Sequence, residues 1–171
     1  MKVFFMFILV FLLQGCSFKT LPNLDTKALE GVLNSIDMSI NTSEAKSFSL
    51  LAIKHAHDLA LSYELVRPPL FHNWLVNIGA KKRGLCWHFA FDMLDMALKQ
   101  KYKSFDFYIV GANINDYFEE HNALLVTCQG CEVSKGVIID AWRNSGELFF
   151  SKINDDPDYS WSQRGGVRNA R

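Results

Sequence analysis

Hydrophobic spacing changes once along this chain, and that change limits the folds open to it. Up to Lys99 apolar residues recur at helical intervals; from Phe105 onward they fall in short β-branched and aromatic runs divided by turn residues. Helices first and antiparallel strands after define an α+β domain. Residues 26–36 suit a short helix. Thr42-Ser43-Glu44, a hydroxyl cap followed by an acidic first-turn residue, opens a long amphipathic helix. Its apolar face runs through Phe48, Leu51, Ala52, His55, Leu59, Tyr63 and Val66, and Pro68 and Pro69 end it. A third helix over 70–78 stops at Gly79, and the basic loop Lys81-Lys82-Arg83 leads into a fourth over 85–99. That helix is apolar on two sides, and only His88, Asp92, Asp95 and Lys99 form a polar stripe, so it is mostly buried. Strands are expected over 105–110, 121–127, 137–142 and, after the turn Asn144-Ser145-Gly146, 147–153.

The N-terminus carries an address. Lys2 is followed by eleven apolar residues, 3–13, and then by Gln14-Gly15-Cys16. A bilayer span takes about 20 residues, so this segment reads as a signal peptide. Leu13-Gln14-Gly15-Cys16 resembles the bacterial lipoprotein signal. That resemblance implies removal of residues 1–15, acyl chains such as palmitate on Cys16, and a protein held by its lipid on a membrane of the cell envelope, facing the periplasm. Ser17 stands where an Asp commonly marks inner-membrane retention, which favours the outer membrane. Residues 16–41 are expected to form the lipidated tether and 42–171 the domain.

Without Lys2 the chain has 17 basic against 18 acidic residues, a balance that implies no basic face for nucleic acid. Export places Cys86, Cys128 and Cys131 where disulfides persist, and an odd count leaves one over. Cys128-Gln129-Gly130-Cys131 offers a redox pair or half a zinc site. With no second C-x-x-C and a place in a hairpin turn, a turn-closing disulfide or two idle thiols fits better, leaving Cys86 the free thiol.

Cys86 begins a helical run, His121 opens a later strand and Asp140 closes another. If the hairpin between those strands turns at Gly130-Cys131, His121 lies directly across from Asp140, with Cβ atoms about 5 Å apart. A slip of one residue would put the two on opposite faces. A thiol at a helix N-terminus, with Lys82 and Arg83 just upstream and an imidazole to hold the proton, is set up as a thiolate nucleophile. Asp140 would fix the tautomer of His121. Attack on an acyl carbonyl would give a thioester resolved by water or an amine, with the Cys86 N–H as one oxyanion donor and Trp74 or Asn77 as the second. This chemistry requires neither cofactor nor metal.

Gly84-Leu85-Cys86-Trp87-His88-Phe89-Ala90 resembles the Gly-Gln-Cys-Trp-x-Phe-Ala motif of the transglutaminase-like branch of papain-like cysteine enzymes. His121 and Asp140, within Ile138-Ile139-Asp140-Ala141-Trp142, follow in that family's order. The stretch from His72-Asn73 through Cys86 is also similar to small bacterial lipoproteins of this type, and the likeness covers residues 45–153. It implies a papain-like core and a Cys86-His121-Asp140 triad, acting as a cysteine hydrolase or acyl transferase on a peptide or protein amide. Leu85 stands where the family has Gln and the spacings are short, departures that argue against protein crosslinking.

Each feature also has a plainer reading. Cys86 alone would be a buried structural thiol, and the whole triad could persist in an inactive binding or scaffolding lipoprotein. His55 sits in an apolar face and reads as a core residue. His57, His72 and His88 have no ligand spacing and read as structural or solvated. Tyr159 and Trp161 read as a cover for the sheet, or alternatively as a wall of the substrate cleft.

Overall fold

The structure, a computed structural model, describes residues 26–116 and 119–168; the expected signal peptide and Cys16 lie outside them. Four helices precede the sheet: α1 (Thr26–Asn34), α2 (Thr42–Ser62), α3 (Pro69–Asn77) and α4 (Cys86–Lys99). Five strands follow: β1 (Phe105–Ala112), β2 (His121–Cys128), β3 (Val137–Asn144), β4 (Glu147–Lys152) and β5 (Ser162–Arg168). The chain is therefore α+β, as the change in hydrophobic period requires.

Local chemistry moves two of the expected boundaries. Asn41, not Thr42, caps α2, because its Oδ1 accepts from the Ser43 and Glu44 N–H groups at 2.9 and 3.2 Å. That leaves the Glu44 carboxylate free to accept from the Lys103 and Ser104 N–H groups across the molecule. α2 stops at Ser62, short of the prolines, where Glu64 takes a φ of 49°. Pro68 and Pro69 instead start α3, as cap and first residue, where a missing N–H is harmless.

The sheet is antiparallel, in the order β4-β3-β2-β1-β5. Four strands form a meander. The chain then crosses from the β4 edge to the β1 edge and adds β5, a strand absent from the sequence-based expectation. Alternation along the strands divides the core in two. On one face Phe107, Leu124, Val126 and Ile139 pack with Phe48 and Ala52 of α2 and Phe89 and Met93 of α4. On the other, Val110, Leu125 and Ile138 pack under Ile153 and Trp161 of the crossover. α1, within the span expected as tether, buries Leu29 and Leu33 completely in the helical half of the core. Gly146, at φ +90°, lets the β3–β4 turn lie on α2; an added Cβ would fall 2.3 Å from the Ala60 Cβ. Among the described residues no helix is long and apolar enough to cross a membrane.

Candidate active site

Two histidines fix the loop that delivers Cys86. His72 on α3 is fully buried; its Nδ1 accepts from the Val66 N–H at 3.1 Å and its Nε2–H donates to the Arg83 carbonyl at 2.9 Å. Gly84, at φ +121°, passes so close that an added Cβ would fall 2.2 Å from His72 Nε2. His88 lies three residues beyond Leu85, the cap of α4, and its Nδ1 accepts from the Gly84 and Leu85 N–H groups at 3.2 and 3.1 Å. That is the reaching-back half of a capping box. An accepting nitrogen cannot carry a proton, and burial together with the Arg83 charge holds the His88 pKa below its ordinary value. His88 is thus a buried cap and not part of a polar stripe; its place at the third helical position is the signal that would have identified it.

Cys86 is the first residue of α4, where backbone N–H groups lack helical partners. Among the described residues it is the free cysteine, buried at 8% exposure, while Cys128 and Cys131 are joined in a disulfide. It lines a cleft of about 500 Å³ together with Leu70, Asn73, Trp74, Asn77, Trp87, Glu120 and Asn122. Trp74 and Asn77 therefore stand on the α3 wall of that cleft. Its thiol donates to the Glu120 carbonyl at 3.8 Å, and the Asn122 amide donates to its sulfur at 3.8 Å. The supporting charge expected from Arg83 goes elsewhere: its guanidinium binds both oxygens of Asp92, at 2.8 and 2.9 Å, and lies over the Tyr63 ring. Lys82 is exposed.

His121 and Asp140 meet through a different register from the one expected. The β2–β3 ladder pairs Leu124 with Ile139 and Val126 with Val137, two residues out from a turn at Gly130-Cys131, because a 3-10 turn at Val133–Lys135 lengthens the connection. A two-residue shift preserves the face. The two side chains meet diagonally, with His121 Nε2 2.7 Å from Asp140 Oδ2 and the side chains 2% and 1% exposed. Asp140 does not close its strand. It sits where the β3–β4 register shifts, and its Oδ1 accepts from the Trp142 and Arg143 N–H groups. Burial alone would lower the His121 pKa, but Asp140, with a further contribution from the Cys86 thiol, pushes it up to about 9. Burial would likewise raise Asp140; His121 and then Arg143 outweigh it and hold the carboxyl below its ordinary value. With Nε2 on Asp140, the remaining ring nitrogen, Nδ1, is buried with no hydrogen-bond partner among the described residues.

Arg143 is one residue that sequence reasoning missed. Its Nε donates to Asp140 Oδ2 at 3.0 Å, and its two Nη atoms bind Asp156 at 3.0 and 2.6 Å, one of them also reaching Asp158 at 3.1 Å. Burial works against ionisation of Asp156, yet the Arg143 bonds bring its pKa down to about 2. Asp156 in turn accepts from the Trp161 indole N–H at 2.8 Å. Tyr159 and Trp161 thereby come to lie 4.7 and 5.3 Å from the His121 ring, with Trp142 at 4.8 Å. The acidic turn before Tyr159 was the one available signal, since paired carboxylates near a buried strand invite an arginine.

The remaining histidines lie apart from this centre. His55 is half-buried, not in the core, and its Nε2 lies 3.3 Å from the Asp92 carbonyl. His57 is half-buried on α2. Among the described residues the ligating atoms gathered closely enough for a metal are those of Asp37, Cys128 and Cys131, within 4.8 Å of one another, and the two sulfurs are already bonded to each other. No family model, curated protein or solved structure matches this chain.

Proposed function

We propose that the protein is a lipid-anchored cysteine hydrolase or acyl transferase with a papain-like, transglutaminase-like core, acting on an amide or peptide at the cell envelope. One observation carries this reading. A buried imidazole has one nitrogen held by a buried carboxylate and, among the described residues, no partner for the other, and the thiol at the start of α4 helps to hold its charge. Buried polar atoms are almost always hydrogen-bonded, and an orphaned imidazole nitrogen is available to carry a proton to and from a thiol. In the reaction, the Cys86 thiol gives its proton to His121 Nδ1 and its sulfur attacks the acyl carbon, an S–C bond forms and the carbonyl electron pair moves to oxygen. Collapse expels the amine, which takes its proton from His121 Nδ1. Water or a second amine then adds to the thioester, gives its proton to Nδ1 and displaces the thiolate.

The test is the pH dependence of Cys86 alkylation by iodoacetamide in the full chain, read by peptide mass spectrometry, beside a His121→Ala variant. A midpoint well below about 8.5 that rises in the variant is expected of an ion-paired nucleophile. A midpoint at or above that value, or an unlabelled thiol, would overturn the reading. The exposed apolar residues Leu70, Phe71, Trp74 and Ile78 along α3 favour the second reading, a binding or scaffolding lipoprotein. A cellular phenotype that survives Cys86→Ala would select it.

A further inference from the structure

Sequence order offered Trp74 or Asn77 as the second oxyanion donor, yet both lie on the exposed α3 wall. Asn122, one residue past His121, brings its side-chain amide to the Cys86 sulfur. It is 5% exposed, lines the cleft, and its Nδ2 stands 3.8 Å from the sulfur. Which end of an amide faces a neighbour is often a matter of choice; here the chemistry decides it. Arg164 of β5 donates from Nη1 to Asn122 Oδ1 at 2.9 Å, and a guanidinium cannot accept, so the oxygen must face Arg164 and the NH2 group must face the cleft. Arg164 is itself held by Glu120 Oε1 at 2.7 Å, and Glu120 Oε2 accepts from the Asn115 N–H at 3.1 Å. The Asn115 N–H is the largest influence lowering the Glu120 pKa, with Arg164 and Asn122 adding to it.

Resting on the reaction proposed above, we infer that Asn122 is a catalytic residue, the side-chain donor to the oxyanion that forms on Cys86, and that Arg164 is the positioning residue that turns its amide toward the sulfur. A carbon bonded to Sγ carries its oxygen into the space between Sγ and Nδ2, where a donor must lie about 2.7–3.1 Å from it. The second donor is the Cys86 N–H at the start of α4. No charge is consumed in the arrangement: the carboxylate of Glu120 neutralises Arg164, and the neutral amide stabilises the oxyanion without repelling the thiolate that precedes it.

Two electrophiles separate this role from thiolate formation. Iodoacetamide alkylates sulfur with no oxyanion; p-nitrophenyl acetate acylates it through one. In the full chain, Asn122→Ala should slow acylation by about 100-fold while alkylation changes by less than about tenfold. Arg164→Met should give a smaller loss in acylation, Arg164→Lys should restore part of it, and the Asn122→Ala/Arg164→Met pair should be no slower than Asn122→Ala alone. If Asn122→Ala does not fold, the two Arg164 variants carry the test by themselves. Equal losses for both reagents would make Asn122 a support of the thiol or of the fold, and no loss in either would remove it from the reaction; both results overturn the inference. A wild-type thiol with no depressed alkylation midpoint is a separate outcome, and it overturns the underlying triad.

Discussion

Arg143 is where most of the buried charge at the site converges. Its side chain is 10% exposed and lies between Asp140, 1% exposed, and Asp156, fully covered, with Phe149 3.8 Å below the guanidinium. A planar, permanently charged fork suits this place because it addresses two carboxylates along different edges and stacks on an aromatic face at once. Removing it leaves two carboxylates ionised without their shared counter-charge. Breaking a buried pair on one side costs about 3–5 kcal/mol. Arg143→Met should therefore lower unfolding free energy in urea by that order, and Arg143→Lys should recover only part of it. A loss under about 1 kcal/mol, the range of surface pairs, would mean the cluster is solvated in solution. Beyond the acidic turn, none of this was legible in the sequence. Arg143 stands next to the strand aromatic Trp142 with no patterned partner, and its carboxylates lie 13 and 15 residues on in a turn.

At the scale of elements, helices were readable and the sheet only in part. Helical period, the Gly79 stop and the apolar faces of α2 and α4 reflect local sequence, so their limits agree to within a few residues. Register depends on the length of a connection, and residues 129–136 hide a 3-10 turn that no local pattern announces. The inference survived because face parity, not exact pairing, brings His121 and Asp140 together. β5 was invisible for a different reason. Ser162-Gln163-Arg164-Gly165-Gly166-Val167-Arg168 holds a single large apolar residue and no alternation; an edge strand can be recruited through its backbone, and this one pairs with β1 across a register shift. α1 shows the opposite case, a short helix with enough apolar surface to join a core. Leu33→Ala should cost about 2–5 kcal/mol, as for other fully buried leucines. An unchanged melting temperature would instead return α1 to the tether.

For the whole molecule, the His121–Asp140 pair ties stability to pH. The pKa of His121 is raised from about 6.5 in the unfolded chain to about 9 in the folded one. Its contribution is therefore complete below the first value and disappears as pH rises through the second. Asp140 is lowered, so its contribution is present above about 3.9 and disappears as pH falls. Thermal melts should show a plateau from about pH 5 to 6.5 and a decline toward pH 10 that is shallower in His121→Gln. An identical alkaline slope in both proteins would mean the pair is not an ion pair. The candidate triad was legible at this scale because its three members stand on elements that the sequence itself defines; the shell around it was not, because Arg143, Asn122 and Arg164 act only once strands distant in sequence are adjacent. The crossover from β4 to β5 also sets an order of completion during synthesis. Cys86, His121 and Asp140 have all been made before Tyr159, Trp161 and Arg164 follow, so a chain stopped after Lys152 holds the three candidate groups but leaves the imidazole uncovered and the Asn122 amide without its Arg164 partner. The residues translated after Lys152 thus fix the surroundings of the candidate site and contribute none of its three members.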